Sequence, residues 1–273
     1  MNQSASPNAV ASALPAAVRA RIRAGEIIGP TAGLAPGFAQ ANLVVLPAAW
    51  AEEFGDFCRL NAQPCPLISQ TAVGDACPVD VAADADLRTD VPRYRVFRRG
   101  VADVEQPTDI RALWRDDFVA FLLGCSFTFE SALVAAGLPV RHIDEQRNVP
   151  MYATRIACQQ AGRFSGPLVV SMRPFAPEQV EQAVAITAQF PTMHGAPIHV
   201  GDPAELGIAD LSRPDFGEAV TVHPGEVPVF WACGVTPQLA LAAAAPEIAI
   251  THSPGSMFIT DRTDESYRHR GTT

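Results

Sequence analysis

Two stretches set 108 residues apart spell the same turn, so whatever this chain folds into must build one kind of junction twice. Residues 125 to 136 read Cys-Ser-Phe-Thr-Phe-Glu-Ser-Ala-Leu-Val-Ala-Ala, and residues 233 to 244 read Cys-Gly-Val-Thr-Pro-Gln-Leu-Ala-Leu-Ala-Ala-Ala. Each follows a short apolar run, Phe118 to Leu123 and Val227 to Trp231, and each leads into an Ala/Leu-rich segment with helical spacing. That succession reads as strand, tight turn and helix. Thr128 and Thr236 stand where an N-cap belongs, and Pro237 suits the first helical position, where its missing N–H costs nothing. A helix N-terminus presents unpaired N–H groups and partial positive charge. Two of them facing one cleft, built from Ser126, Thr128, Gly234 and Thr236, would suit a ligand with two carboxylates. Alanine is too common here to carry the match, which rests on the aligned Cys, Thr and Glu/Gln. The competing reading is two unrelated copies of a common junction.

The chain is long enough, at 273 residues, for one large or two modest domains and for an enzyme. Its net charge of −9 and the lack of any Lys/Arg block exclude a phosphate-tracking surface, so nucleic acid is not an expected partner. No apolar run approaches the roughly 20 residues that cross a bilayer, and no apolar signal core opens the chain. A cytoplasmic protein with no membrane partner is expected. Arg19, Arg21 and Arg23 in an acid-free start faintly resemble a transit sequence. A surface helix accounts for them better, with Val10, Leu14, Val18 and Ile22 on one stripe and Gly25 as its stop.

All twenty basic residues are arginine. The absence of lysine removes the Schiff-base lysine, the Ser-Lys dyad and the phosphate-loop lysine, because each needs an ammonium that arginine cannot replace. Pyridoxal-phosphate chemistry and P-loop ATP use go with them, and no cofactor is expected. The six cysteines, 58, 65, 77, 125, 158 and 233, show no C-x-x-C pair and no close zinc spacing. Cys125 and Cys233 sit at the repeated turn, where a helix N-terminus could lower a thiol pKa. The alternative is a small packed residue at a tight junction.

Along the chain, the Gly/Pro-rich segment 29–37 forbids a helix and implies a shaped loop. Ala41 to Leu46 reads as a buried strand, Ala48 to Asn61 as a helix starting after Pro47, and Pro66 to Val73 as a further strand. Tyr94 to Arg99 and Val101 to Gln106 flank Gly100 as a hairpin. In the middle, Val149 to Ile156, Pro167 to Met172, Glu178 to Phe190 and Ala196 to Val200 give the order β-β-α-β of a small α+β unit. The expected fold is therefore α/β, an αβα sandwich with an inserted smaller two-layer α+β domain. Residues 1–137 and 222–273 would form the main domain and 138–221 the insertion, with a loose polar end from Arg262.

Several blocks in one order resemble the D-glutamate cyclase family, a hydro-lyase family that includes the YcsI-like bacterial proteins. They include Gly29-Pro-Thr-Ala-Gly-Leu-Ala-Pro-Gly37 continuing to Gln40-Ala-Asn-Leu43, and Asp86-Leu-Arg-Thr-Asp-Val-Pro-Arg-Tyr94. Gly124-Cys-Ser-Phe-Thr-Phe-Glu130, Arg141-His142, Val149-Pro-Met-Tyr152 and Val169-Val-Ser-Met-Arg-Pro174 follow. The series closes with His194-Gly-Ala-Pro-Ile-His199, Pro214-Asp-Phe-Gly217, Val229-Phe-Trp-Ala-Cys-Gly-Val-Thr-Pro-Gln238 and Thr251-His-Ser-Pro-Gly255. The resemblance implies a carbon–oxygen lyase that cyclises D-glutamate, or a related amino dicarboxylate, to 5-oxo-D-proline with loss of water and without ATP. Animal mitochondrial relatives carry an additional C-terminal domain that has no counterpart here, which makes the activity a weaker implication than the fold. The alternative is a non-catalytic dicarboxylate or imino-acid binding domain.

Such chemistry needs carboxylate clamps and proton carriers. Arg88 and Arg93, and Arg173 at a strand end before Pro174, are clamp candidates, because a guanidinium fork matches a carboxylate. An extended backbone would place Asp84, Asp86, Arg88 and Asp90 on one face, where they could equally satisfy one another. Glu130, in the first turn after Thr128, is the candidate base, with simple capping as its alternative. His194, His199 and His252 lie in Gly/Pro-flanked turns, and one of them is the expected general acid. His194, His199 and Asp202 could be read as a metal set, but the odd separation of five and the bend at Pro197 argue against it, and no metal is expected. The expected partner is a small-molecule substrate, with homodimer formation left open.

Overall fold

Residues 38–47 are apolar at nearly every position, as in a strand buried on both faces. In the computed structural model, which describes residues 14–269, they form the central strand β1, Phe38–Pro47. β5, Phe118–Gly124, runs antiparallel beside it from Ala41↔Gly124 to Pro47↔Phe118. With β2 (Leu67–Gln70), β10 (Ala249–His252), β3 (Tyr94–Arg98) and β4 (Val101–Ala102) they make a sheet of order β2-β5-β1-β10-β3-β4, and β11 (Phe258–Thr263) pairs with the start of β1. Alternation divides its side chains. Val44, Leu46, Val119 and Phe121 pack under helices α2, Ala48–Leu60, and α6, Thr236–Ala244, with Phe54 edge-on to Phe121 at 4.9 Å. Leu43, Val45, Ala120 and Leu122 face the opposite way, where the turn-rich segment 76–91, not a helix, covers them through Val81, Leu87 and Val91.

The second sheet has the order β6-β7-β9-β8, from β6 (Met151–Ala157), β7 (Pro167–Phe175), β9 (Val227–Ala232) and β8 (His199–Val200). Helices α3, Phe127–Ala135, and α5, Pro177–Thr187, lie on it, with Phe129, Leu133 and Ala183 against Phe175, Val229 and Trp231. Two further helices, α1 (Pro15–Arg23) and α4 (Arg141–Asp144), sit at the periphery. All pairings in both sheets are antiparallel. The fold is thus α/β with two sheets. The second sheet takes in β9, so sheet membership cuts across the expected division at residue 222.

The two sheets share one plan. The order β2-β5-β1-β10 in the first matches β8-β9-β7-β6 in the second. If β5 maps on β9 by the 108-residue offset of the repeated turn, the pair Ala41↔Gly124 becomes Val170↔Ala232, which is a pair of the second sheet. That fixes the offset from β1 to β7 at 129, and the same offset carries Ala48, the start of α2, onto Pro177, the start of α5. The residues before them share one backbone conformation, Pro47 at φ −59°, ψ 143° and Ala176 at φ −61°, ψ 145°. The repeat is structural. It is also interlocked: after its turn each half crosses to the other sheet, so that α3 covers the second sheet and β6 joins it, while α6 covers the first and β10 joins that one. The repeated turns are the crossing points.

Several sequence expectations are corrected. Neither Thr128 nor Thr236 is a cap: the caps are Ser126 and Val235, neither with a side-chain cap bond. The Thr236 hydroxyl instead accepts from the Val169 N–H at 3.0 Å, tying α6 to β7, and the buried Thr128 hydroxyl has no partner among the described residues. The segment 84–90 is not extended; Asp90 N–H bonds to the Asp86 carbonyl at 3.0 Å and closes a turn, because Asp86 and Asp90 bond the local main chain. The end is not loose from Arg262, since Arg262 and Thr263 belong to β11 and Asp264 is buried. Val10 of the expected helical stripe lies outside the described residues, while Gly25 stops α1 at φ +74°.

Two stability measurements follow from these buried polar groups. Thr236→Val strands the Val169 N–H and is expected to cost about 1–3 kcal/mol in urea unfolding, whereas Thr128→Val, which removes an unpartnered hydroxyl, should be neutral or stabilising. Burial pushes the Asp264 carboxyl up to about 7, with the Glu265 charge adding to the shift. The folded state then holds this proton at pH values where the unfolded carboxyl, near about 3.9, has lost it. Its stabilising contribution is complete below pH ~4 and lost as pH rises through about 7. Asp264→Asn should therefore flatten the fall of Tm across that window.

Candidate active site

Each crossing is packed so closely against a neighbouring segment that its glycine has no room for a β-carbon. A Cβ at Gly124 would collide with the Thr192 carbonyl, and one at Gly234 with the Asn42 amide. In both turns the Cys carbonyl accepts from the Thr N–H three residues on, at 3.1 Å for Cys125–Thr128 and 3.0 Å for Cys233–Thr236. Between them lies a cavity of about 20 Å³, room for one water-sized group, walled by Asn42, Cys125, Ser126, His194, Cys233, Gly234 and His252, with Val149, Met151 and Met257 among its apolar walls. Both turns therefore face one site.

The imidazoles come from different places. His252 closes β10 where the neighbour of β1 changes from β10 to β11, so the Leu43 N–H finds no strand partner there and points at His252 Nδ1, 3.1 Å away. The Leu43 carbonyl is 3.3 Å from the same nitrogen, but the shorter, directed N–H contact assigns Nδ1 as acceptor and puts the ring proton on Nε2. His194 takes a left-handed conformation, φ +76°, and its Nδ1 donates to the Gln63 carbonyl at 2.8 Å, which leaves Nε2 as a lone pair. The site thus holds one imidazole assigned as a donor and one as an acceptor. Burial, reinforced by the charge of Arg95 for His252 and of Arg173 for His194, lowers both pKa values to about 4. Neither ring carries an extra proton at neutral pH.

Behind Ser126 stands a buried charge cluster. Arg173, on β7, donates through Nε to Glu130 Oε1 at 3.0 Å, through Nη1 to Ser171 Oγ at 3.1 Å and through Nη2 to Ser126 Oγ at 3.0 Å, and Nη2 also meets Glu130 Oε1. His142 Nε2 lies 3.3 Å from the same carboxylate oxygen without a directed hydrogen bond to it. Burial pushes the Glu130 carboxyl up, but His142 and Arg173 together outweigh it and hold the carboxyl below its usual range. The cluster pins α3 to β7 and aims the Ser126 hydroxyl.

Of the residues singled out in the sequence, the structure brings Ser126, Gly234, His194 and His252 to the cavity, with Glu130 and Arg173 directly behind. Arg88 is spent in a bidentate pair with Asp86, and Arg93 donates to the Ile28 carbonyl; neither reaches the cavity. His199 is turned away, bonding the Asp202 carbonyl at 2.9 Å. That separates His194 from His199, and among the described residues no group of three His, Cys, Asp or Glu side chains could hold a metal ion. The cysteines are ordinary packed thiols: burial raises Cys233 to about 11 and Cys125 further, against the N–H bonds each receives. A larger recess of about 340 Å³ lies between the 33–38 loop and α3, but its walls are mainly apolar, and its Gln40 and Glu130 are already bonded. Sequence reading missed Asn42, His142 and Ser171. For Asn42 the signal was a polar residue inside an otherwise apolar strand; it donates to the Gly124 carbonyl at 2.7 Å and holds the first turn.

The D-glutamate cyclase family model matches residues 119–261, which take in both turns and both cavity histidines. A protein of Rubrobacter xylanophilus named "Putative hydro-lyase" is 60% identical over 252 residues, covering 92% of this chain and 97% of that protein. Proteins bearing the same description in Bacillus licheniformis and Stutzerimonas stutzeri are 57% and 59% identical, covering 93% and 92% of this chain and 96% and 94% of their own lengths.

Removing Glu130 alone leaves a buried guanidinium unpaired. Glu130→Ala should cost about 3–5 kcal/mol in urea unfolding, and the double change Glu130→Leu with Arg173→Met should cost less than either truncation alone.

Proposed function

Because the chain belongs to the D-glutamate cyclase family, we propose that it is a hydro-lyase that cyclises D-glutamate, or a related amino dicarboxylate, to 5-oxo-D-proline without ATP. The observation that carries this reading is the pair of uncharged imidazoles, assigned to opposite tautomers, in a cavity sized for one water between two chain crossings. In the net reaction the amine nitrogen bonds to the γ-carboxyl carbon and a C–O bond breaks. The ammonium loses two protons, and the departing oxygen gains both to leave as water. His194 Nε2 suits the accepting role and His252 Nε2–H the donating role. The N-terminal ends of α3 and α6, whose preceding residues Ser126 and Val235 line the cavity, carry the positive ends of the helix dipoles and favour negative charge on the oxygen as the tetrahedral centre forms. The resting cavity fits the departing water but not an amino acid, so substrate must widen it on entry.

Purified protein incubated with D-glutamate, or with 5-oxo-D-proline in the reverse direction, should interconvert the two slowly without ATP and leave the L-enantiomers nearly untouched, as read by chiral chromatography. Binding without turnover at high enzyme concentration would replace the lyase with a dicarboxylate-binding domain. His194→Gln and His252→Gln should each lower kcat by about 10²–10⁴-fold. In the wild type the acceptor imidazole is lost as pH falls through about 4, so the rate should drop on the acid side.

A further inference from the structure

A second recess, of about 400 Å³, opens on the far side of the segments that wall the cavity: Val149 and Gly255 face the cavity, while their neighbours Asn148 and Pro254 face the recess. Arg95 lines it. This side chain sits on β3, partly buried, with its guanidinium 5.3 Å from the Phe97 ring and Nη1 donating to Gln238 Oε1 at 3.1 Å. Among the described residues no carboxylate pairs with it. Burial alone holds its pKa below the usual arginine value. A partly desolvated cation without a counter-ion is costly to keep, and in a recess it is a place for an incoming anion.

The other polar groups of the recess have the opposite preference. Asn148 Oδ1 is buried and accepts no hydrogen bond, while its Nδ2 is committed to the Pro254 carbonyl at 3.0 Å. Glu218 accepts the Asn148 N–H through Oε1 at 3.1 Å and adds negative charge at the rim. Phe216 and Pro254 supply apolar wall. One cation lacking an anion, beside an amide oxygen lacking a donor and a carboxylate, complements a carboxylate and an ammonium on one small molecule.

We propose that this recess binds the zwitterionic head of a free α-amino acid, with its carboxylate on Arg95 and its ammonium on Asn148 Oδ1 and Glu218. The site is distinct from the cavity and does not depend on what reaction occurs there. It is nonetheless wired to it, since Gln238 accepts from Arg95 through Oε1 and donates through Nε2 to the His252 carbonyl at 3.1 Å.

The test titrates the full-length protein with norvaline and with its two halves, pentanoate and butylamine, following amide shifts by NMR. Norvaline should bind at least tenfold more tightly than pentanoate and shift the amides of residues 95, 148 and 218. Arg95→Gln should abolish binding of both, and Glu218→Gln, on an exposed segment, should reduce norvaline to the affinity of pentanoate. Arg95→Lys, which keeps the charge but not the fork, should weaken both without abolishing them, and thermal melts of every variant show whether the fold is retained. Norvaline binding no tighter than pentanoate, unchanged binding in a folded Arg95→Gln, or no binding to the wild type would each overturn the proposal. Loss of turnover in His194→Gln with norvaline binding intact would confirm that the two sites are separate.

Discussion

Every strand must find partners for its main-chain N–H and C=O groups, and in this protein neither half of the repeat can supply them all alone. β6, from the first half, pairs with β7 of the second sheet, while β10, from the second half, joins β1 and β3 of the first. The helices follow, α3 and α6 each covering the sheet that its own half did not begin. Two halves that complete each other's sheets are held far more firmly than two domains that touch, because separating them would expose ladder hydrogen bonds as well as apolar surface. The crossings are where this constraint concentrates. The chain passes between layers twice at one place, and the glycines there are needed because the Thr192 carbonyl at Gly124 and the Asn42 side chain at Gly234 occupy the space a β-carbon would take.

The cavity is a consequence of that geometry. The two crossings leave only a small gap between them, and two of the groups lining it answer an interruption of the ladders. His252 receives an N–H that β1 cannot place at the change of neighbour, and Asn42 satisfies the carbonyl of Gly124 as β5 ends. A residue held by structural need through one ring nitrogen still has its other nitrogen free for chemistry. The edge of the His252 imidazole that serves the structure is thus opposite the edge left to the cavity.

Two kinds of buried ionisable group meet here, and burial acts differently on each. The histidines have no counter-charge, so desolvation wins and they stay neutral. Glu130 is buried as deeply but faces Arg173 and His142, and there the partners win, leaving the carboxyl ionised. The cavity wall therefore carries neutral imidazoles, with a fixed ion pair directly behind it. The ion pair bonds Ser126, which belongs to the cavity wall, so its rigidity is transmitted to the site through one hydroxyl.

Local pattern by itself determined many of the elements and suggested the repeat, which the register of the two sheets then established. The strand at residues 41–46, the helix after Pro47, the hairpin around Gly100 and both strand-turn-helix junctions are written in apolar period and turn residues, which act over a few positions. The shared blocks also marked His194, His252, Ser126 and Gly234 as residues of interest. What the sequence could not decide was partnership. That β9 joins β7, that Arg173 is spent on Glu130 while Arg95 pairs with no carboxylate among the described residues, and that the Thr236 hydroxyl is taken by the Val169 N–H all depend on contacts between residues tens to hundreds of positions apart. A side chain's charge is legible in one letter. Whether that charge is satisfied or left available for a ligand depends on which distant group the folded chain sets against it, and only the tertiary structure made that choice.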